Sequence, residues 1–172
     1  MIRRLAIHKL REWRYSEDRK PLIIRGVRQV GKTTLVKEFA KEFDTFLHLN
    51  LERSKDSELF ETTDDVAQLL QSIYFHKKQE KKDGSVLLFI DEIQNSKRAV
   101  AMLRYFYEEA PEVHVIVAGS LLETVMDVRK ISFPVGRVEF MSLRPCSFWE
   151  FLGGLGEDFD KELVENFSVE SV

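Results

Sequence analysis

The residues with the most chemical potential lie in one stretch, Gly26-Val27-Arg28-Gln29-Val30-Gly31-Lys32-Thr33-Thr34. Its first eight positions fit a glycine, four free positions, a glycine, a lysine and a hydroxyl residue, which is the pattern of a phosphate-holding loop. The glycines let the backbone curl so that successive N–H groups converge on an anion, and a helix starting at Lys32 adds the positive end of its dipole. Lys32 supplies a mobile positive charge between the β- and γ-phosphates of a nucleotide, and the Thr33 hydroxyl is a ligand for the magnesium ion that bridges them. Thr34 assists at the α-phosphate. The alternative is a chance match in a glycine turn, and the strand and helix patterns on either side argue against it.

A second set of groups complements the first. Val86-Leu-Leu-Phe-Ile90 is apolar at every position and ends in Asp91 and Glu92. A strand of that kind delivers both carboxylates to the edge of an open sheet where ligands bind. Asp91 is suited to hold magnesium, directly or through water, and Glu92 to polarise an attacking water as general base. A solvated turn after a strand is the bland alternative. Ser120 emerges after a third apolar run, Val113 to Ala118, toward the same edge, where it senses the γ-phosphate or orients water; equally, it caps the segment that follows, with Glu123 three residues on. His48, His76 and His114 lie far apart with no partner at metal-ligand spacing, so structural or solvated roles are expected for them and magnesium is the one metal anticipated.

These groups need a scaffold, and the periodicity supplies one. Arg3 to Trp13 reads as a short amphipathic helix, Pro21 to Arg25 as a strand, and Lys32 to Phe43 as a helix with Leu35, Val36, Phe39 and Phe43 on one face. Thr45 to Asn50 reads as a second strand, Leu59 to Tyr74 as a helix, Lys77 to Gly84 as a charged turn, and Ser96 to Glu109 as a helix. Strands alternating with helices of this length require right-handed crossovers. The expected fold is an α/β P-loop NTPase, a doubly wound, mostly parallel sheet with helices on both faces.

Composition sets the outer bounds. With 26 basic and 29 acidic residues the formal charge is -3, so no global positive field draws the chain to nucleic acid or an anionic membrane. One cysteine, Cys146, forms no intramolecular disulfide, and a reducing, cytoplasmic setting is expected. The longest apolar runs are strand-sized, well below the roughly 18 residues of a membrane span. Most of the phenylalanines fall at helix or strand spacing and read as core.

Taken together, Lys20 to Leu35, Phe89 to Gln94 and Ala118 to Ser120 resemble the prokaryotic AAA-type ATPases related to the archaeal ATPase family, and Gly136-Arg137 through Phe151 is similar to the segment that closes the core of that family. The resemblance spans about residues 3 to 152. It implies ATP as the nucleotide, Mg2+ as the metal, Asp91 and Glu92 as the acidic pair, and Ser120 as the polar sensor. Arg137 would be a γ-phosphate or inter-subunit arginine; the ordinary alternative is a surface arginine paired with an acidic neighbour. The core is assigned to residues 1–152, with 1–20 as a helical lead-in. Residues 153–172, opening on Gly153-Gly154-Leu155-Gly156, are assigned to a hinge and the start of a truncated C-terminal region, since the family usually continues into a winged-helix region and a nuclease-like domain. A homo-oligomer or that further domain is the expected partner, and nucleic acid is a candidate for the full-length protein alone.

Three functions fit these residues. The first is a Mg-dependent ATPase that couples nucleotide state to conformational change or assembly. The second is a nucleotide-gated binding module with little turnover, which the aromatic run Phe148-Trp149-Phe151 would serve. The third is a small-molecule kinase, against which the position of Glu92 argues, because it suits the activation of water.

Overall fold

The computed structural model describes residues 4–119, 132–148 and 150–151. Its centre is a five-stranded sheet built from β1 (Leu22–Arg25), β2 (Thr45–Asn50), β3 (Val86–Asp91), β4 (Val113–Ala118) and β5 (Glu139–Ser142), in the order β2-β3-β4-β1-β5. Every pairing is parallel. All ligand-facing ends therefore lie on one edge, the edge where β1 ends at Arg25 and β3 at Asp91. β3 and β4, each with a neighbour on both sides, are buried at all six positions, which are apolar except for Asp91 at the end of β3 and His114 in β4. β2 at one edge alternates buried and half-buried residues, with Leu47 and Leu49 inward.

Helices cover both faces. α1 (Ala6–Arg14) and α2 (Lys32–Phe39) pack Leu10, Trp13, Leu35, Val36 and Phe39 against Leu22, Ile24, Phe89 and Ile116. On the other face α4 (Val66–His76) and α5 (Lys97–Glu109), together with a single turn α3 (Ser54–Ser57), pack Leu69, Ile73, Leu103 and Phe106 against Ile23, Leu88, Ile90 and Val115.

Local chemistry moves two helix boundaries from their sequence positions. The helix after the glycine loop ends at Phe39 and tightens into a 3-10 turn over Ala40–Glu42. The helix expected from Leu59 breaks into a 3-10 turn over Glu58–Glu61 and then α4, because Thr62-Thr63-Asp64-Asp65 offers side-chain acceptors that compete with the helical ladder. Asp65 instead caps α4, accepting a hydrogen bond from the Gln68 amide at 2.9 Å. The fifth strand, β5, was expected only as part of a closing segment: it is an edge strand in which Met141 alone is buried, so it carries little hydrophobic signal. Among the described residues no helix is long and apolar enough to cross a membrane. Ser120, Trp149 and the Gly153 to Gly156 hinge lie outside the described residues.

Candidate functional site

The glycine loop leaves β1 at Gly26 and enters α2 at Lys32. Gln29 (φ 63°) and Gly31 (φ 95°) both take left-handed conformations, which reverse the chain twice within three residues and produce the concave run of amides that suits an anion. The helix is then joined without a break, the Leu35 amide donating to the Gly31 carbonyl at 2.9 Å. At the loop base a Cβ on Gly26 would sit 2.5 Å from the Leu143 carbonyl oxygen, so glycine is required there for backbone approach. Val27, Arg28, Gln29 and Thr34 are exposed and Val30 half-buried, which leaves the rim of the loop open to a ligand.

Lys32 is buried, and its Nζ donates to the carbonyls of Gly26 at 2.8 Å and Val27 at 3.0 Å. The ammonium thus stands across the mouth of its own loop. Burial pulls its pKa down, while the nearby charges of Glu92 and Asp91 pull it up. Thr33 Oγ1 donates to Asp91 Oδ2 at 2.7 Å, joining the start of α2 to the end of β3. A hydroxyl and a carboxylate oxygen brought together are hard oxygen donors of the kind magnesium takes, so Thr33 and Asp91 are the residues that would hold one.

Asp91 is held by two hydrogen bonds. Its Oδ1 accepts from the Glu92 amide at 3.1 Å and its Oδ2 from the Thr33 hydroxyl, while His48 Nε2 stands 4.0 Å from Oδ2, beyond hydrogen-bond reach. Glu92 takes a left-handed conformation (φ 54°, ψ 45°), which is uncommon for a residue with a Cβ and clusters at functional sites. Its carboxylate accepts from Gln94 Nε2, and Gln94 is buried. Ser96 closes the turn by capping α5, accepting from the Ala99 amide at 3.1 Å. The path from β3 to α5 is thus pinned at both ends around Glu92.

Lysine, threonine, aspartate and glutamate come together from elements about 60 residues apart, at the shared edge of β1 and β3. Arg137 does not join them. It precedes β5, where the Glu139 amide bonds the Pro21 carbonyl, so it lies at the opposite edge of the sheet from the loop. There its Nε donates to Glu108 Oε1 at 2.7 Å and its guanidinium lies 5.7 Å from the Tyr107 ring. The expectation of a γ-phosphate contact within its own chain is thereby corrected: the parallel register that carries Ser142 to Arg25 carries Arg137 away.

The structure also adds residues that the spacing left out. His48, expected to be structural or solvated, stands beside the acidic pair, because β2 and β3 pair in a register that sets Asn50 opposite Asp91. Its ring stacks on Phe46 and Phe89, and burial lowers its pKa against the pull of Asp91, which favours the neutral ring. Only the alternation of Thr45 to Asn50 hinted at it, by placing Phe46, His48 and Asn50 on one face. Arg4 reaches the loop from before α1, where its Nη1 donates to the Val30 carbonyl at 3.0 Å. Among the described residues no group of three or more His, Cys, Asp or Glu side chains is placed to hold a metal on its own.

Comparison with known proteins follows the same lines. The structure is similar to the Walker-type ATPase paby2304 of Pyrococcus abyssi, with a TM-score of 0.56 at 17% identity, over 100% of this chain and 60% of that one. This likeness speaks for the fold, and the present chain spans 60% of the archaeal protein's length. No curated protein matches it. Residues 18–152 match the AAA domain family, and that span holds the glycine loop, the carboxylate-ended strand β3 and all five strands of the sheet. The chain belongs to the AAA domain family of P-loop ATPases.

Proposed function

We propose that this chain binds Mg-ATP at Gly26 to Thr34 and hydrolyses it to ADP and phosphate, coupling nucleotide state to conformational change or assembly. The observation that carries the reading is the 2.7 Å bond between Thr33 and Asp91, which joins the phosphate loop to the acid-ended strand and leaves Glu92 as the next residue. Lys32 exchanges its carbonyl partners for phosphate oxygens, a charge-assisted contact stronger than those it replaces. Thr33 and Asp91 would hold the magnesium, whose charge offsets that of the β- and γ-phosphates when bound. Glu92 takes a proton from water as its oxygen forms the new bond to the γ-phosphorus, and the bond to the ADP oxygen breaks in line. Gln94, bonded to Glu92, orients that carboxylate. Ser120 remains the proposed sensor, and Arg137 is proposed to serve a neighbouring copy in an oligomer. A cytoplasmic setting is part of the same reading.

A second reading, a nucleotide-gated binding module, is supported by the exposed rings of Phe148 and Phe151 at the end of the core. Nucleotide binding and phosphate release, measured together with and without magnesium, separate the two. Magnesium-dependent release of free phosphate supports the ATPase. Tight binding with negligible release moves the conclusion to the module, a phosphorylated acceptor moves it to a kinase, and failure to bind sinks all three.

A further inference from the structure

The phosphate loop is held from behind by two residues that come from the ends of the described chain. Arg4 spreads its guanidinium over three partners: Nη1 donates to the Val30 carbonyl at 3.0 Å, Nη2 to the Arg144 carbonyl at 2.6 Å, and Nε to Glu150 Oε1 at 3.1 Å. Glu150 in turn accepts from the Leu5 amide at 2.8 Å through Oε1 and from the Ser147 amide at 2.8 Å through Oε2. Both side chains are largely withdrawn from solvent, at 15% and 7% exposure. The charges of the pair are compensated by hydrogen bonds at all three guanidinium nitrogens and at both carboxylate oxygens. Val30 immediately precedes Gly31, whose left-handed turn aims the loop amides, and Arg4 Nη1 lies 3.5 Å from where a Gly31 Cβ would be.

From this geometry we propose that Arg4 is a positioning residue for the phosphate loop, with Glu150 orienting it, so that the loop's anion-binding curl is braced by the segment leading out of the core at residues 144–151. The loop turns at both Gln29 and Gly31, and a carbonyl fixed at Val30 sets the peptide plane between the two turns. The planar fork of arginine satisfies the Val30 and Arg144 carbonyls and the Glu150 carboxylate at once, which a lysine's single ammonium does not. Linkage makes the effect reciprocal: a nucleotide that orders the loop also favours the docking of the Leu5 and Ser147 amides on Glu150 and of the Arg144 carbonyl on Arg4.

The inference rests on the nucleotide-binding reading and is tested so that the two fail separately. Mg-ATP affinity, steady-state kinetics and melting temperature are measured for the whole chain, for Arg4→Lys and for Glu150→Gln. Arg4→Lys is expected to weaken Mg-ATP binding about tenfold, the worth of one charge-assisted hydrogen bond, with KM rising far more than kcat falls. Glu150→Gln, which keeps the side-chain shape but leaves Arg4 without its counter-charge, is expected to weaken binding by up to about tenfold, the low end for a partner that acts through a neighbour. Wild-type affinity in a folded Arg4→Lys overturns the brace. Should Arg4→Lys fail to fold, wild-type affinity in Glu150→Gln overturns it equally. A wild-type chain that binds no nucleotide overturns the underlying reading, and the brace with it.

Discussion

Replacing Gly26 by alanine tests how tightly the backbone is packed at the loop base. The new Cβ would lie 2.5 Å from the Leu143 carbonyl oxygen and 3.1 Å from Val30 Cγ1. Ordinary contact needs roughly 3.4 Å or more, so β5 has to retreat from β1 by about 1 Å. The Leu143 amide donates to the Arg25 carbonyl at 2.7 Å, and a retreat of that size takes the bond beyond about 3.5 Å, where it no longer counts. Overpacking costs about 1–3 kcal/mol and the lost hydrogen bond about 1 more. A total of about 2–4 kcal/mol lowers the melting temperature of a domain this size by about 5–15 °C. Gly31→Ala is the control, because its position is roomy and the penalty comes from its φ of 95° alone, about 1–2 kcal/mol. Thermal denaturation of both variants without nucleotide is the assay. The reasoning is refuted if Gly26→Ala melts within 2 °C of the parent, or if Gly31→Ala is the less stable of the two.

Further expectations follow from the same geometry. Lys32→Ala removes the ammonium at the mouth of the loop and is expected to weaken ATP binding about 10- to 150-fold, the span of about 1.5–3 kcal/mol for a charged hydrogen bond, as read by titration calorimetry. Stability is expected to fall as pH drops from 6.5 toward 4. Burial of His114 among Trp13 and Phe43 lowers its pKa from 6.5 to about 4, so above pH 6.5 it is neutral in both states, and below that the unfolded chain takes up a proton the folded one refuses. The full linkage of about 3 kcal/mol is reduced by residual solvent contact to about 2 kcal/mol. Denaturant midpoints across that range measure it, and His114→Phe is expected to flatten the slope.

What could be read from the sequence was chemistry confined to short stretches. Gly26 to Thr34 carries its own geometry, since the glycines, the lysine and the start of α2 are adjacent in the chain. β3 and β4 announced themselves by burial on both faces. β5 did not, because Phe140 points outward with the Arg25 guanidinium 3.7 Å over its ring, so its strand character depends on a partner far away in sequence. The same physical reason hid His48 beside Asp91 and the pairing of Arg4 with Glu150, 146 positions apart. Arg137 shows the converse: a motif position suggested proximity to phosphate, and the parallel register of β5 on β1 set it at the far edge.

Glu92, proposed as the group that activates water, is the residue on which hydrolysis turns. Phosphate release from Mg-ATP by the parent chain and by Glu92→Gln, with nucleotide affinity measured on both, tests it. The prediction is turnover in the parent, loss of turnover by about 100-fold or more in Glu92→Gln, as expected for a general base, and retained affinity. Equal turnover in the two, with binding intact, would contradict the assignment.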